Sequence, residues 1–172
     1  MAKKVSLRDF QENLSVRLQS AKRGETTPPM LGIRSGGCNW LLELPDSGEV
    51  VPLASLTTVP LTQPWFAGVV NIRGALHAVV DFAVFTGAQP TPRTDKTRLL
   101  LVGTRHNINS ALLVENTVGL KPVSTLEPAE AKPNLPGMSW IDAAYTDESG
   151  QEWLRINLAA LLSESVFLDV GL

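Results

Sequence analysis

The chain has 172 residues and a formal net charge of -2, and this composition limits the classes of protein to which it can belong. An apolar fraction of 44% is enough for a buried core, and the length suits one domain or two small lobes that share a core. Because acidic and basic residues are interspersed, no basic surface for nucleic acid is expected. The single cysteine, Cys38, excludes an internal disulfide framework.

The chain shows no segment that would direct it to or through a membrane. Apolar runs such as 98–102 are far shorter than the roughly 20 residues that span a bilayer. Lys3 and Lys4 are not followed by the apolar run of a signal peptide. We therefore expect a cytoplasmic protein without direct membrane insertion.

An amphipathic helix is predicted near the N-terminus, over residues 6–21. Ser6 and Asp9 have the spacing of a capping box, which satisfies the free amides of a helix start. The helix is expected to end near Gly24, before two prolines. Its apolar stripe either packs on the body of the protein or docks on another chain. The residues of the stripe are Leu7, Phe10, Leu14, Leu18 and Ala21.

From residue 31 onward, short apolar runs alternate with turn residues, which is typical of an all-β barrel or sandwich. Helical periodicity does not recur between the runs, so a parallel βαβ sheet is not expected. The predicted strands are 31–34, 39–44, 49–52, 68–72, 76–80, 98–102, 110–114, 141–146 and 152–155.

Two polar, proline-rich stretches, 86–96 and 127–136, are predicted to be exposed loops, and the first is expected to divide two lobes. A weak internal repeat also favours two lobes. In each half, two strand-like runs are followed by a residue that suits a helix N-cap, Asp81 or Asn157, and by a short apolar run.

The residues give little support for catalysis or metal binding. The two histidines, His77 and His106, have no carboxylate at metal-ligand spacing, although Asp81 lies on the predicted strand face of His77. Cys38 has no basic neighbour that would activate its thiol. Neither a nucleophile elbow nor a phosphate-binding glycine loop is present. No catalytic residue, metal ligand or cofactor site is therefore predicted.

The four tryptophans divide into two groups. Trp40, Trp140 and Trp153 lie inside or beside predicted strands, which favours core packing for all three. Trp65 follows a proline and suits either the core or an exposed anchor, because tryptophan is common in binding hot spots.

Arg73 is the charged residue whose position calls for an explanation. It stands at a predicted turn between the apolar strands 68–72 and 76–80, where turn chemistry would favour Asn or Gly. From the residues alone, a solvated arginine and a partner-binding arginine both stay open. Gly68 would allow a backbone or a partner to approach the first of these strands closely.

The segment 60–85 resembles the central motif of CheW-type chemotaxis adaptors. In that family one strand ends in Asn-Leu-Arg-Gly and the next ends in Val-Ile-Asp-Leu. The matching residues here are Asn71-Ile72-Arg73-Gly74 and Val79-Val80-Asp81-Phe82. The resemblance extends from about residue 31 to residue 162.

The resemblance is incomplete at some positions, and it is strongest to one branch of the family. Glu115 stands where the family usually has Asp, and residues 76–78 replace an Ile-Pro-type run. The added N-terminal helix and residues 64–68 are most similar to the branch of the family that serves type IV pilus twitching systems.

The resemblance implies a mainly β fold of two small five-stranded β-barrels packed together. These would form a domain over 25–165, between an N-terminal helix over 1–24 and a C-terminal tail over 166–172. The implied function is a non-catalytic adaptor without a cofactor. It would couple the cytoplasmic tip of a methyl-accepting chemoreceptor to the regulatory domain of a CheA-type histidine kinase, in arrays at the inner membrane.

In this family the arginine of the motif lies on the receptor-facing surface. The partner-binding residues predicted on that basis are Trp65, Gly68, Asn71, Arg73 and Gly74. A small-ligand-binding β-barrel is the alternative, weakened by the few polar side chains in the predicted strands. A hydrolase comes third, because no nucleophile constellation is present.

Overall fold

A computed structural model of the protein describes residues 27–130 and 135–172, which form two sheets and three short α-helices. One sheet contains Met30–Ser35 (β1), Cys38–Glu43 (β2), Asn116–Lys121 (β8), Leu126–Pro128 (β9), Ile141–Asp147 (β10) and Glu152–Ile156 (β11). The other contains Ser47–Pro52 (β3), Phe66–Ile72 (β4), Ala75–Asp81 (β5), Arg98–Val102 (β6) and Ser110–Val114 (β7). The helices are Phe82–Phe85 (α1), Leu158–Ser163 (α2) and Ser165–Leu168 (α3). The helix predicted over 6–21 lies outside the described residues.

Both sheets are mixed but mainly antiparallel. The strand order is β8-β1-β2-β11-β10-β9 in the first sheet and β3-β6-β7-β5-β4 in the second. The parallel neighbours are β2 with β11 and β5 with β7. The prediction of a mainly β fold is therefore confirmed.

The prediction of two five-stranded barrels needs correction, because neither sheet closes within the described part of the chain and the first has six strands. In the second sheet the two edge strands, β3 and β4, are joined only locally. Thr57, which follows β3, exchanges two backbone hydrogen bonds of 2.8 Å with Val69 in β4. A barrel requires a continuous ladder around the sheet, and a single bridge does not provide it.

The two lobes are nested in the sequence instead of following one another. Both ends of the described chain build the first sheet, and the middle, 47–114, builds the second. The expected division at 86–96 is wrong, since this loop joins α1 to β6 inside the second lobe. The chain crosses between sheets at Glu115, whose N–H donates to the Arg34 carbonyl at 3.0 Å and whose carboxylate accepts the Gly36 N–H at 2.8 Å.

The largest apolar core lies between the two sheets. At its centre Trp40, Phe82 and Trp140 meet with ring centroids 5.1 to 5.8 Å apart. A second core covers the other face of the second sheet, and a third, which contains Trp153, covers the other face of the first. Strand β7 is therefore buried on both faces, as its unbroken run of buried residues requires. The predicted core positions of Trp40, Trp140 and Trp153 are confirmed.

The two predicted helix caps are present, each after a hairpin. Asp81 accepts a long bond of 3.5 Å from the Val84 N–H at the start of α1, and Asn157 accepts one of 3.0 Å from the Ala160 N–H at the start of α2. The buried Asp81 carboxylate also accepts the hydroxyl and the N–H of Thr91 at 2.6 and 3.1 Å. Asp81 thus starts a helix and fastens the 86–96 loop to the body.

The stretch predicted as a tail, 166–172, packs against the body of the protein. Phe167 is buried and stacks on Trp65 with ring centroids 6.2 Å apart and an interplanar angle of 11°. At the end of the stretch, the Leu172 N–H donates to the Leu61 carbonyl at 3.1 Å. The last residues therefore help to bury the aromatic side chains beside α1.

Candidate functional site

The turn between β4 and β5 carries the central motif. Arg73 and Gly74 form a two-residue turn with φ of +52° and +86°, between the paired residues Ile72 and Ala75. Two positive φ values are typical of a type I′ turn, whose twist matches that of the strands. The Asn71 side-chain oxygen accepts the Gly74 N–H at 2.9 Å. Asn71 and Gly74 therefore shape the turn itself.

Arg73 occupies a backbone conformation that costs an L-residue about 1 kcal/mol, and its side chain gains little packing in return. The side chain is 77% exposed, and its Nη2 donates to Glu49 Oε1 in β3 at 2.7 Å. An ion pair this exposed contributes at most about 1 kcal/mol. It fixes the direction of the guanidinium more than it stabilises the fold. The contacts of the side chain therefore do not explain why an arginine occupies this strained position.

An exposed apolar side chain lies beside this arginine. Leu76 is 59% exposed and pairs with Asn71 across the hairpin. Because side chains alternate along a strand, Leu76 is on the face of β5 that Val80 presents to the central core. We call Glu49, Asn71, Arg73 and Leu76 the turn surface. This surface places the guanidinium of Arg73, whose direction is fixed by Glu49, next to the exposed apolar side chain of Leu76.

His77 and His106 lie in separate environments. His77 is half-buried beside the turn surface and lines a depression of about 320 Å³ with Glu49. The His106 Nε2 is 2.7 Å from Asp46 Oδ1, and Arg105 pairs with the same carboxylate. This cluster fastens the connection between β6 and β7 to the turn that precedes β3.

The part of the chain that the structure describes contains no group of three His, Cys, Asp or Glu residues placed to hold a metal ion. Its helices are also too short to cross a bilayer.

Gly68 is required by the protein's own backbone. It has a φ of +127°, and a Cβ at this position would lie 2.3 Å from the carbonyl oxygen of Thr57. The close approach expected from the sequence is therefore made by the segment that bridges to β4. Contact of Gly68 with a partner stays a prediction.

Trp65 lies in the core, which is one of the two positions that the sequence left open. It is 8% exposed, and its ring packs against Phe167 and, edge to face, against Phe85 at 5.4 Å. Its carbonyl accepts the Asp81 N–H at 2.8 Å. An anchor role would require the indole to leave this cluster, and its predicted part in partner binding is not favoured by these contacts.

Two residues of the turn surface were not identified from the sequence as site residues. Glu49 precedes Arg73 by 24 positions in a different strand, and no local pattern connects them. Leu76 did carry a signal, because it is an apolar residue directly after a polar turn, within the run that departs from the family pattern.

Comparison with known protein sequences identifies the family of this chain. The sequence model of the CheW-like domain matches residues 29–166. Protein PilI of Pseudomonas aeruginosa is 30% identical over 146 residues, which cover 82% of this chain and 79% of PilI. This agrees with the resemblance to the twitching branch.

A solved structure has a similar fold. The crystal structure of the scaffolding protein TtCheW from Thermoanaerobacter tengcongensis superposes with a TM-score of 0.65 at 19% identity. The match covers 80% of this chain and 94% of TtCheW. The match of the family model to residues 29–166, together with the identity to PilI, leads to one conclusion: the chain belongs to the CheW-like family.

Proposed function

We propose that the protein is a non-catalytic adaptor that couples a chemoreceptor to a CheA-type histidine kinase and thereby controls type IV pilus twitching motility. It would act in the cytoplasm, in receptor-kinase arrays at the inner membrane. Membership of the CheW-like family and the similarity to PilI support this assignment.

The observation that carries the proposal is the strained, exposed Arg73 beside Leu76. A guanidinium presents several donors in a fixed plane, which suits a carboxylate or the free carbonyls of a helix. Leu76 offers an apolar contact next to those donors. A receptor helix that carries an acid one turn from an apolar residue would satisfy both, in a helix-on-groove arrangement.

The ligand-binding barrel gains no support from the second lobe. The face of its sheet that would line a ligand cavity is filled by five buried apolar side chains: Val70, Val79, Leu99, Ala111 and Leu113. The depression beside Glu49 lies at the surface, and its lining contains neither serine nor cysteine. A bridging function therefore explains the surface better than ligand storage does.

Assembly from three purified components tests the proposal. The full-length protein is mixed with a receptor cytoplasmic fragment and the regulatory domain of the CheA-type kinase from the same system, and complexes are sized by sedimentation. We expect one ternary complex. When the protein is omitted, we expect the receptor fragment and the kinase domain to sediment separately. Failure to bind either partner, or binding of the two partners only in competition, would contradict the adaptor function.

A further inference from the structure

The edge of the first sheet at β8 exposes apolar side chains. Within the described residues, β8 has a strand neighbour on one side only. Val118 is 42% exposed and Leu120 is 57% exposed. Leu120 pairs with Leu31, which belongs to the central core, so the apolar face of that core continues past the sheet edge. An open apolar edge invites aggregation unless another segment covers it.

Acidic side chains border the same edge. Val118 and Leu120 line a shallow depression of about 470 Å³ whose other wall contains Asp147 and the exposed Glu148. Lys121 spans the depression and pairs with Asp147 at 3.2 Å. Because Lys121 pairs with Asp147, Glu148 is the acidic side chain that this surface presents beside the apolar Val118 and Leu120. We call Val118, Leu120 and Glu148 the edge patch.

The N-terminal segment joins the body next to the edge patch. Met30, the first residue of β1, pairs directly with Lys121 of β8. Arg23 precedes Met30 by seven positions, so an extended connection can carry it about 25 Å at most. The point at which residues 1–26 join the body therefore lies close to β8.

The charge of the segment complements the body. Residues 1–26 contain six Lys or Arg against three Asp or Glu, whereas the rest of the chain contains nine against fourteen. The apolar stripe predicted over 6–21 suits the apolar side chains of the edge patch, and the basic residues of the segment suit Glu148. A sixteen-residue helix is about 24 Å long, close to the roughly 20 Å of a six-residue strand such as β8.

We propose that residues 1–26 fold back onto the edge patch of the same molecule. The apolar stripe covers Val118 and Leu120, and Lys22 and Arg23 face Glu148. A tethered segment has an effective concentration in the millimolar range, which favours it over a second copy or a receptor helix as occupant. The segment thereby extends the central core over an edge that would otherwise be open.

Paramagnetic relaxation in the full-length protein tests the proposal. A nitroxide is attached at Ser20→Cys in a Cys38→Ser background, and backbone amide signals are compared before and after reduction of the label. We expect selective loss of signals at 118–121 and 147–149. Unchanged signals there, or losses concentrated elsewhere on the body, would overturn the proposal.

Two matched variants and a mixing control separate the outcomes. Leu120→Ser should restore the signals, whereas Leu168→Ser should not, because Leu168 has the same 57% exposure but lies on α3. Reversal of charge at Lys22 and Arg23 to Glu should restore them in part. Signal loss in isotope-labelled protein mixed with spin-labelled, unlabelled protein would show a contact between copies and would contradict the intramolecular arrangement.

Discussion

Gly68 and Gly74 both have positive φ, but the fold needs them for different reasons. At Gly68 a Cβ would lie 2.3 Å from the Thr57 carbonyl oxygen, whereas at Gly74 it would have nothing within 4 Å. Gly68→Ala therefore combines backbone strain with a backbone clash. We expect it to lower the free energy of unfolding by at least about 2 kcal/mol, against about 1 kcal/mol for Gly74→Ala. Equal losses in denaturant unfolding would contradict this account of the Thr57 bridge.

The Asp81 carboxylate should contribute more to stability than its cap alone. It accepts bonds from Val84 and from both donors of Thr91 in a buried site. We expect Asp81→Ala to lower the free energy of unfolding by about 2 to 3 kcal/mol, because the Thr91 donors lose their acceptors. Asp81→Asn keeps one acceptor and should cost less. Receptor binding by the folded fraction of Asp81→Ala should stay normal, and weakened binding would place Asp81 in the binding site.

At the scale of elements, the β10–β11 hairpin depends on an ionised Asp147. Hydrogen bonds from Ser149 and then from Trp153, with a further one from Lys121, hold the pKa of this carboxyl well below its usual range. The bond from Lys121 also ties the hairpin to β8. Asp147 thus connects two parts of the first sheet that are distant in sequence.

Because the pKa of Asp147 is lower in the folded than in the unfolded state, its contribution is complete above the unfolded value of about 4. The contribution is lost as pH falls from there toward the folded pKa. We expect the unfolding midpoint of the native protein to drop more steeply below about pH 4 than that of Asp147→Asn. Parallel pH profiles for the two proteins would contradict the role of this carboxylate.

The sequence predicted every strand that has a clear turn on both sides, and the structure places their ends within two residues of the prediction. It missed β8, which follows β7 after the single residue Glu115 and contains Gly119, and β9, which has only three residues. Local patterns do not show where the chain changes sheets, since that depends on pairing with distant strands. The same reason explains why two closed barrels were predicted incorrectly and why the contact between Arg73 and Glu49 was not predicted.

At the scale of the whole molecule, the two lobes share the largest of the three cores, so we expect them not to fold independently. The first sheet needs both 30–43 and 116–156, and the second lobe lies between them in sequence. Trp40 of the first sheet packs on Phe82 of α1, which follows β5 of the second sheet, and this contact joins the lobes. Unfolding should therefore be a single cooperative transition.

Removal of residues 1–24 should leave this transition intact. The cores described here are built from residues 30–167, so the truncated chain should unfold cooperatively with a β-type circular dichroism spectrum. An isolated helix of this length is marginal in water and cannot hold the sheets together. We expect a lower midpoint and more self-association, because Val118 and Leu120 become uncovered. Insoluble or molten protein would show that the segment completes the core.

We propose that Arg73 serves the adaptor function as a contact with the receptor and not as a residue that stabilises the fold. A calorimetric titration of Arg73→Ala with a receptor cytoplasmic fragment tests this most directly, with Arg93→Ala as a control at another exposed arginine. We expect Arg73→Ala to lose about 2 kcal/mol of receptor binding, close to 30-fold in Kd. Its free energy of unfolding should stay within about 0.5 kcal/mol of the native value, and binding of the kinase regulatory domain should be unchanged. Normal receptor affinity in a folded Arg73→Ala variant, or loss of folding with normal affinity of the folded fraction, would contradict the account.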